Sequence, residues 1–396
     1  MIPVDEAQSR ITGSFTTLPP ETVALTEASG RVLAADIVAG FDQPPRDVSA
    51  MDGYAVRAAD ARPGANLIVI GDAPAGKPFG GTVRELQAVR ILTGGIVPPG
   101  ADAVVIQEDV TRTDNAIVIR EAPGPGENIR ARGLDFRGGE VLIGSGKRLS
   151  ARDIAVIAAA DLPKVMVARR PRVALFATGD ELSRPGEPRK PGGIVASSTY
   201  AIQAMVREWG GEALDCGILR DDIEAFETLP EQTAGVDLIV TQGGASVGDH
   251  DLVQAALGRH GFVLDFWKIA MRPGKPLIFG RLRDTPLIGL PGNPVSAMVC
   301  AQLFIRPAIA KMLGCAFAPP IAFAALTAPL PPNGKRRDYV RARVEICEGS
   351  LLATPFRLQD SSTQKIFAQA DALIIRRPDA PASTAGDHVE LLLLDR

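Results

Sequence analysis

The stretch at 272–296, RPGKPLIFGRLRDTPLIGLPGNPVS, decides how this chain is interpreted. Its two compact turns, RPGKP and LPGNP, carry Gly and Pro at positions that interrupt regular structure. The apolar runs 277–279 and 287–290 have the length of buried strands. A helix is predicted at 295–313, and its N-terminal backbone donors, together with Arg272 and Lys275, favour a phosphate or another oxyanion as ligand.

Upstream of this stretch, strand-like and helix-like segments alternate. Strands are predicted at 172–178, 212–219 and 236–241, and helices at about 199–209 and 252–259. One face of the first helix carries Ile202, Met205, Val206 and Trp209. This alternation predicts a mostly parallel sheet covered by helices on both faces. Ligands bind such sheets at the carboxyl ends of the strands.

The flanking segments differ in character. Residues 1–40 are predicted to be mostly helical, whereas short β-type runs alternate with Gly/Pro turns from 41 to 130. A further helix is predicted at about 151–160, with Ser150 as its N-cap and Asp153 at the capping-box position. Short β runs return after residue 320 and predict a β-barrel, with a β-sandwich as the alternative.

We therefore predict an α/β multidomain protein. Its central domain is a mostly parallel α/β sandwich, accompanied by an inserted mainly β domain, a discontinuous helical N-terminal domain and a C-terminal β-barrel. In the same order, the predicted bounds are 171–317, 41–130, 1–40 plus 131–170, and 318–396.

The composition limits the classes of partner. The 396 residues are 46% hydrophobic and 22% charged, with a formal net charge of −3, so we expect neither nucleic acid nor a membrane as partner. We recognise no signal sequence and no apolar stretch of about 18 residues. The four cysteines form no CxxC pair, which predicts buried free thiols in a reducing cytoplasm. Three scattered histidines argue against a zinc site.

Carboxylates follow several of the predicted strands. Like charges that converge at one edge of a sheet need a cation, and ligation by oxygen alone points to Mg²⁺ shared with phosphate. The alternative is that each carboxylate only caps a turn or faces solvent. The residues concerned are Asp180, Glu181, Asp221, Asp249 and Asp251.

Cations and a glycine-rich turn are predicted at the same edge. Lys268, Arg272 and Lys275 supply positive charge, with a solvated basic face as the alternative. The turn GGASVG at 243–248 can bring backbone N–H groups close to an anion, although such turns are more often structural. The chain has no P-loop, no Rossmann glycine motif and no GxSxG nucleophile elbow, which argues against the enzyme classes that depend on them.

Nine motifs together resemble those of the MoeA-type molybdopterin molybdenumtransferases, the bacterial counterparts of the gephyrin E domain. They occur in the family's order over nearly the whole chain. They are SAMDGYAV at 49–56, LTGG at 92–95, ADAVVIQED at 101–109, GENIRARGLDF at 126–136, FATGDEL at 176–182, ILRDD at 218–222, GGASVGDHD at 243–251, WKIAMRPGKP at 267–276 and GLPGNPVSA at 289–297.

The resemblance implies the last step of molybdenum cofactor synthesis. Adenylylated molybdopterin and molybdate bind, Mg²⁺ assists cleavage of the pyrophosphate bond, molybdate goes onto the dithiolene and AMP leaves. An elongated homodimer is also implied, with each active site between the central domain of one subunit and the early β domain of the other. Molybdopterin adenylyltransferase and molybdoenzyme-maturation proteins are candidate partners.

Site residues are also implied by the resemblance, motif by motif. The catalytic set would be Asp52, Thr93 and Asp135 from the partner side of the cleft, with Glu181, Asp221, Asp251, Lys268 and Lys275. Mg²⁺ would be held by Glu181, Asp221 and Asp251. The substrates would be bound by Asp180, Gly243, Gly244, Ser246, Arg272, Pro291, Gly292, Asn293, Pro294, Ser296, Arg337, Arg341 and Ser361.

Three positions depart from the family pattern. Arg272 stands where lysine is common, which keeps the charge but replaces a point charge by a planar fork. The run IVASS at 194–198 stands where the family often has an IYDSN-like run, so a carboxylate is lost at Ala196 and an amide at Ser198. Ser361 is followed by Ser362 where the family has His. These departures bear on individual ligand contacts more than on the reaction.

The motifs are also compatible with functions besides this transfer reaction. The nearest alternative functions are those of a molybdopterin adenylyltransferase and of a CinA-like nucleotide hydrolase, because both kinds of protein resemble the domain at 171–313. The early β insertion with MDGYAV and the C-terminal β domain argue against both. A non-catalytic, gephyrin-like scaffold stays open as well, as does a chain that has lost catalysis.

Overall fold

The computed structural model describes residues 1–243 and 255–394. Contacts divide the chain into two compact units. The larger unit comprises residues 1–22, 30–34 and 166–396, and the smaller unit comprises residues 23–29 and 35–165. The chain passes from one unit to the other within the strands Pro20–Ala24 and Lys164–Ala168.

A six-stranded sheet forms the centre of the larger unit. Its strand order is Glu212–Leu219, Arg172–Thr178, Leu238–Gln242, Thr285–Leu290, Ile278–Leu282 and Phe262–Trp267. The first four strands are parallel and the last two are antiparallel to their neighbours, which confirms a mostly parallel sheet. The two-residue link Arg283-Asp284 permits only a hairpin, because a parallel pair needs a long crossover.

Helices cover both faces of this sheet. Alternate residues of Arg172–Thr178 enter two separate apolar cores, Val173 and Leu175 in one and Ala174 and Phe176 in the other. Residues 255–258 are helical, and residues 252–254 of the predicted helix lie outside the described residues. The other helices of this unit are Val4–Gly13, Ser198–Glu208, Ile223–Glu227, Leu229–Gln232, Pro294–Cys300, the π-helical Ala301–Ile305, Arg306–Met312 and Gln364–Phe367.

Two of these helices confirm specific predictions. Ser198–Glu208 buries Ile202 and Val206, and its C-cap Trp209 is also buried, as the apolar stripe predicts. The helical stretch Pro294–Met312 corresponds to the predicted helix at 295–313. Within the described residues it alone is long and apolar enough to cross a membrane, yet 89% of its apolar window is buried inside the protein, as is usual for a core helix.

A five-stranded barrel forms the C-terminal part of the larger unit. It closes because Arg337–Cys347 pairs with both Ser350–Pro355 and Ala372–Arg376. The remaining barrel strands are Ile321–Leu326 and His388–Leu393, and the predicted C-terminal β-barrel is thus confirmed. The short strand Met271–Arg272 pairs in parallel with the start of Arg337–Cys347. A separate two-stranded pair joins Leu182–Ser183 to Ile194–Val195.

The smaller unit is mainly β, as predicted. Its six-stranded sheet has the order Ala103–Ile106, Gly53–Val56, Gln87–Ile91, Asn66–Ala73, Ala116–Ile119 and Val110–Thr113. Two short pairs join Val48–Ser49 to Ile129–Arg130 and Ile37–Val38 to Val141–Ile143. Two 3₁₀ turns lie at Ala58–Asp60 and Gln107–Asp109. Helix Ala151–Ala159 begins with the predicted capping box of Ser150 and Asp153.

The prediction for residues 1–40 was too helical. Val4–Gly13 is a helix, but Pro20–Ala24 is a strand and Leu25–Glu27 is only a 3₁₀ turn. Pro19 and Pro20 remove backbone donors that a helix needs, and Gly30 has a positive φ of 74° that ends regular structure. The local helical pattern of the first 13 residues therefore does not extend further.

Candidate functional site

A cavity of about 860 Å³ lies in the larger unit, at the carboxyl edge of the central sheet. Thr178 and Gln242 end two of the parallel strands, and Pro291 directly follows a third. This is where parallel sheets bind ligands. Other lining residues include Glu181, Arg189, Ala196, Ser197, Ser198, Asp221, Gly243, Pro276, Gly292, Asn293, Pro294, Ser296, Ser362 and Gln364.

A loop of the barrel forms one side of this cavity. The Asn293 side-chain amide donates to the Ser361 hydroxyl at 3.0 Å, and the Val295 backbone N–H donates to the Ser361 carbonyl at 3.1 Å. Gln364 donates to the Ser197 hydroxyl at 2.9 Å. At the predicted helix N-terminus, Pro294 has no N–H to offer and the Val295 N–H already donates within the protein.

Arg341 holds this loop in place through hydrogen bonds from its buried guanidinium. Its side chain is 1% exposed, and the guanidinium donates to the Gln359 amide oxygen at 3.0 Å, the Asp360 carbonyl at 2.7 Å and the Thr363 hydroxyl at 3.1 Å. Burial lowers the pKa of Arg341 from its ordinary value. The guanidinium is thus occupied within the protein, and the sequence could not reveal this because its partners lie 18 to 22 positions away.

Two of the predicted carboxylates line the cavity. Glu181 and Asp221 are both on its wall. The carboxylate of Glu181 lies close to Gly179, where a Cβ would be 2.6 Å from one of its oxygens. Asp180 is exposed, and its carbonyl accepts from the Lys190 ammonium at 2.9 Å. Gly244, Ser246, Asp249 and Asp251 lie outside the described residues.

The predicted cations of the RPGKP region do not line the cavity. Arg272 forms an ion pair with Asp338 and lines a separate cavity of about 320 Å³ beside the barrel. The Lys268 ammonium lies 3.5 Å from the centroid of the Trp267 ring. Lys275 is exposed, and its neighbour Pro276 does reach the cavity wall.

Arg337 is likewise engaged elsewhere. Its guanidinium makes a bidentate ion pair with Asp5, at 2.7 Å for both contacts. Among the described residues, Arg189 is the cation that lines the cavity, and no sequence pattern singled it out. It lies in a Gly/Pro-rich loop after GDEL, and only its position between two lining motifs could have indicated it. Gln242 was missed as well: the strand was predicted to end at 241, and the turn at 243–248 was singled out instead of the residue before it.

The smaller unit brings two predicted residues together. The backbone N–H and the hydroxyl of Thr93 donate to one carboxylate oxygen of Asp52, at 2.7 and 2.9 Å. The bond from the Thr93 backbone N–H, and after it the bond from the Thr93 hydroxyl, lower the pKa of Asp52 and keep its carboxyl group ionised. Asp135 is exposed in the same unit, and its backbone N–H donates to the Gln43 carbonyl at 2.9 Å.

The cysteines are free, as predicted, but most are not buried. Cys300 is buried, Cys216 and Cys315 are partly exposed and Cys347 is exposed. Burial raises the pKa of the Cys216 thiol. These side chains are therefore packing and surface residues, and none of them lines the described wall of the 860 Å³ cavity.

Three protein-family models match this chain. They are the MoeA N-terminal region (domain I and II) over residues 2–160, a probable molybdopterin-binding domain over 174–311, and the MoeA C-terminal region (domain IV) over 324–394. Together they account for most of the sequence in the order that the resemblance implies.

Similar proteins extend over the full length. The molybdopterin molybdenumtransferase of Haemophilus influenzae is 35% identical over 398 residues, covering 99% of this chain and 98% of that protein. The Bacillus subtilis enzyme of the same name is 35% identical, covering 99% and 94%. A solved molybdopterin biosynthesis MoeA protein from Pyrococcus horikoshii superposes with a TM-score of 0.87 at 31% identity and covers 100% of both chains.

Proposed function

The chain belongs to the MoeA family, and we propose that it performs the family's reaction in the 860 Å³ cavity of the larger unit. It is a transferase of molybdenum cofactor biosynthesis that inserts molybdate into adenylylated molybdopterin with release of AMP. The location rests on one observation: residues of the TGDEL, RDD and LPGNP motifs line one cavity at the carboxyl edge of the sheet. The adenylyltransferase and hydrolase alternatives are not favoured, since family matches also cover 2–160 and 324–394.

The donor set of the cavity fits Mg²⁺. Glu181 and Asp221 offer carboxylate oxygens on one wall, and Mg²⁺ is typically held by one or two carboxylates together with substrate phosphates. No cluster of three or more metal-ligating side chains occurs in the parts of the chain that the structure describes; Asp251, the proposed third ligand, lies outside them. Bound Mg²⁺ would neutralise charge on the phosphates as AMP departs.

Among the cations, we propose two different roles. Arg189 on the cavity wall and Lys275 beside Pro276 would contact the anionic groups of the substrates, as would Lys268 from the same WKIAMRPGKP motif as Lys275. Arg272 and Arg337 are ion-paired and Arg341 is buried, so we assign these three to positioning the barrel and its loop. We propose that the other substrate-binding residues are Ser296, Ser361, the turn at 291–294, Asp180, Gly243, Gly244 and Ser246.

We further propose that the active enzyme is a homodimer in which Asp52, Thr93 and Asp135 of one subunit complete the site of the other. The paired Asp52 and Thr93 support this, because a preformed, ionised carboxylate is suited to a site. Subunits that carry Asp52→Ala and subunits that carry Glu181→Ala should each be inactive alone. After mixing and exchange, about a quarter of the wild-type activity should return, since each heterodimer holds one intact site. If none returns, the site is not shared.

The remaining proposals concern the setting of the enzyme. Four free cysteines support a reducing cytoplasm. A molybdopterin adenylyltransferase would supply the substrate, and molybdoenzyme-maturation proteins would take the product. We retain the four-domain division at 1–40 plus 131–170, 41–130, 171–317 and 318–396. The gaps between the three family matches support the bounds near 171 and 318, and the first match is described as containing two domains.

Reconstitution of an apo-molybdoenzyme tests the function. The purified protein, adenylylated molybdopterin, molybdate and Mg²⁺ should yield active molybdoenzyme well above a reaction without the protein. Glu181→Gln should reduce the yield about 100-fold with an unchanged Tm, because it removes a carboxylate that would hold Mg²⁺ at the leaving phosphate. Glu187→Gln is the matched control in the same loop, where Glu187 accepts from the Arg184 backbone N–H at 2.9 Å. A yield no higher than without the protein would refute the proposed function.

A further inference from the structure

Gln242 presents an unused hydrogen-bond acceptor at the cavity wall. It is 6% exposed and ends the strand Leu238–Gln242. Its Nε2 donates to the Gly292 carbonyl at 3.1 Å. Its Oε1 is buried and has no partner in the part of the chain that the structure describes.

The orientation of this amide follows from its donor contact. The Gly292 carbonyl can only accept, so Nε2 must face it and Oε1 must point the other way. The backbone around Gln242 is held on both sides, so it cannot shift to move the side chain away from this position. Gln242 pairs with Ala177 on one side and Leu290 on the other, and a Cβ on the next residue, Gly243, would lie 2.4 Å from the Thr178 carbonyl oxygen.

A buried acceptor without a partner is costly, and native proteins rarely retain one without a reason. The phosphates and molybdate cannot satisfy it, because their oxygens are themselves acceptors at neutral pH. The adjoining wall is formed by Gly243, Pro291 and Gly292, whose small surfaces leave space for a flat ring. A ligand that satisfies this acceptor must therefore bring an N–H group to it.

We propose that Gln242 recognises the ligand by accepting a hydrogen bond from the amino group of its heterocyclic ring. This inference rests on the proposed function, in which the ligand carries both an adenine and a pterin ring, each with an exocyclic amino group. Gln242 is a binding and specificity residue here and takes no part in bond breaking. A ligand that lacks the amino group would leave Oε1 without a partner, as it is in the free protein, and should bind about tenfold more weakly than a ligand that supplies this hydrogen bond.

The experiment compares the binding of two ligand pairs to the wild-type protein and to a variant of Gln242. Two ligand pairs are titrated calorimetrically in the presence of Mg²⁺: AMP with purine riboside 5′-monophosphate, which lacks the 6-amino group, and pterin with its 2-deamino analogue. Wild-type protein should prefer the amino-bearing member of one pair by about tenfold, and the pair concerned identifies the ring that Gln242 contacts. Gln242→Met should bind both members of that pair equally.

A matched control separates recognition from packing. Gln302 is also a buried glutamine with an unpartnered Oε1 among the described residues, but it does not line the cavity. Gln302→Met should therefore leave the preference at its wild-type value. The inference is overturned if Gln242→Met weakens both members of each pair equally, if it keeps the preference, or if wild-type protein shows none. Failure of wild-type protein to bind any of the four ligands would instead contradict the proposed function itself.

Discussion

The turns RPGKP and LPGNP look alike in sequence but have different surroundings in the folded chain. LPGNP follows a parallel strand, and all of Pro291, Gly292, Asn293 and Pro294 line the 860 Å³ cavity. In RPGKP only Pro276 reaches that cavity, because Met271–Arg272 pairs with a barrel strand. Turn composition thus marks a change of chain direction, whereas strand pairing decides which side chains face the ligand.

The largest effect is expected where the LPGNP turn rests on the central sheet. Gly243 has a φ of +101°, and a Cβ there would lie 2.4 Å from the Thr178 carbonyl oxygen. Gly243→Ala should shift the strand end and reduce activity about 100-fold, since displacements near 1 Å can cost this much. Gly258→Ala is the control, because its Cβ would meet nothing within 4 Å and Gly258 does not line the cavity. Similar activities for the two variants would show that the turn is not held rigidly.

The next effect concerns the loop that closes onto LPGNP. Arg341→Ala would remove three guanidinium hydrogen bonds, to the Gln359 amide oxygen, the Asp360 carbonyl and the Thr363 hydroxyl. We expect the free energy of unfolding to fall by about 3 kcal/mol and activity to fall about tenfold. Chemical denaturation and the reconstitution assay measure the two quantities.

Arg343 provides the control for this prediction. It is exposed and lies two positions further along the same strand, so Arg343→Ala should change the free energy of unfolding by less than about 0.5 kcal/mol. If Arg341→Ala reduced activity without lowering stability, Arg341 would be a ligand-binding residue and its positioning role would be wrong.

A smaller effect is expected from the single bond between the turn and the barrel loop. Asn293→Ala removes the donor to the Ser361 hydroxyl, and we expect a loss of activity of about fivefold, as for one ordinary hydrogen bond. Ser361→Ala in the same background should cost nothing further, because both changes remove the same contact. Fully additive losses would mean that Ser361 acts on the substrate independently of Asn293.

The smallest effect is expected in the RPGKP turn. Arg272 is 59% exposed and its partner Asp338 is 10% exposed, so Arg272→Lys should keep the ion pair and leave activity within about twofold. The KM for molybdate should not change. A tenfold rise in that KM would show that Arg272 reaches the substrate and that the two turns share the site after all.

Local sequence signals predicted much of the architecture. The apolar stripe of Ser198–Glu208, the Ser150 capping box and five of the six strands of the central sheet were recognisable because their determinants lie within a few residues of each other, whereas the edge strand Phe262–Trp267 was missed. The sequence over-predicted helix in residues 1–40, since the pattern of Val4–Gly13 was extended past the prolines. Among the site residues, Glu181, Asp221 and the LPGNP turn were found by their positions after strands.

The amino-acid sequence by itself determined the family, the order of secondary-structure elements and the motifs at the carboxyl edge of the sheet. The tertiary structure decided which of those motif residues face the cavity. Arg272 is paired with Asp338, 66 positions away, and Arg341 is buried under its own loop. Only the packed structure leaves the Oε1 of Gln242 without a partner among the described residues. Long-range pairing and burial arise from the whole fold, so no local pattern encodes them.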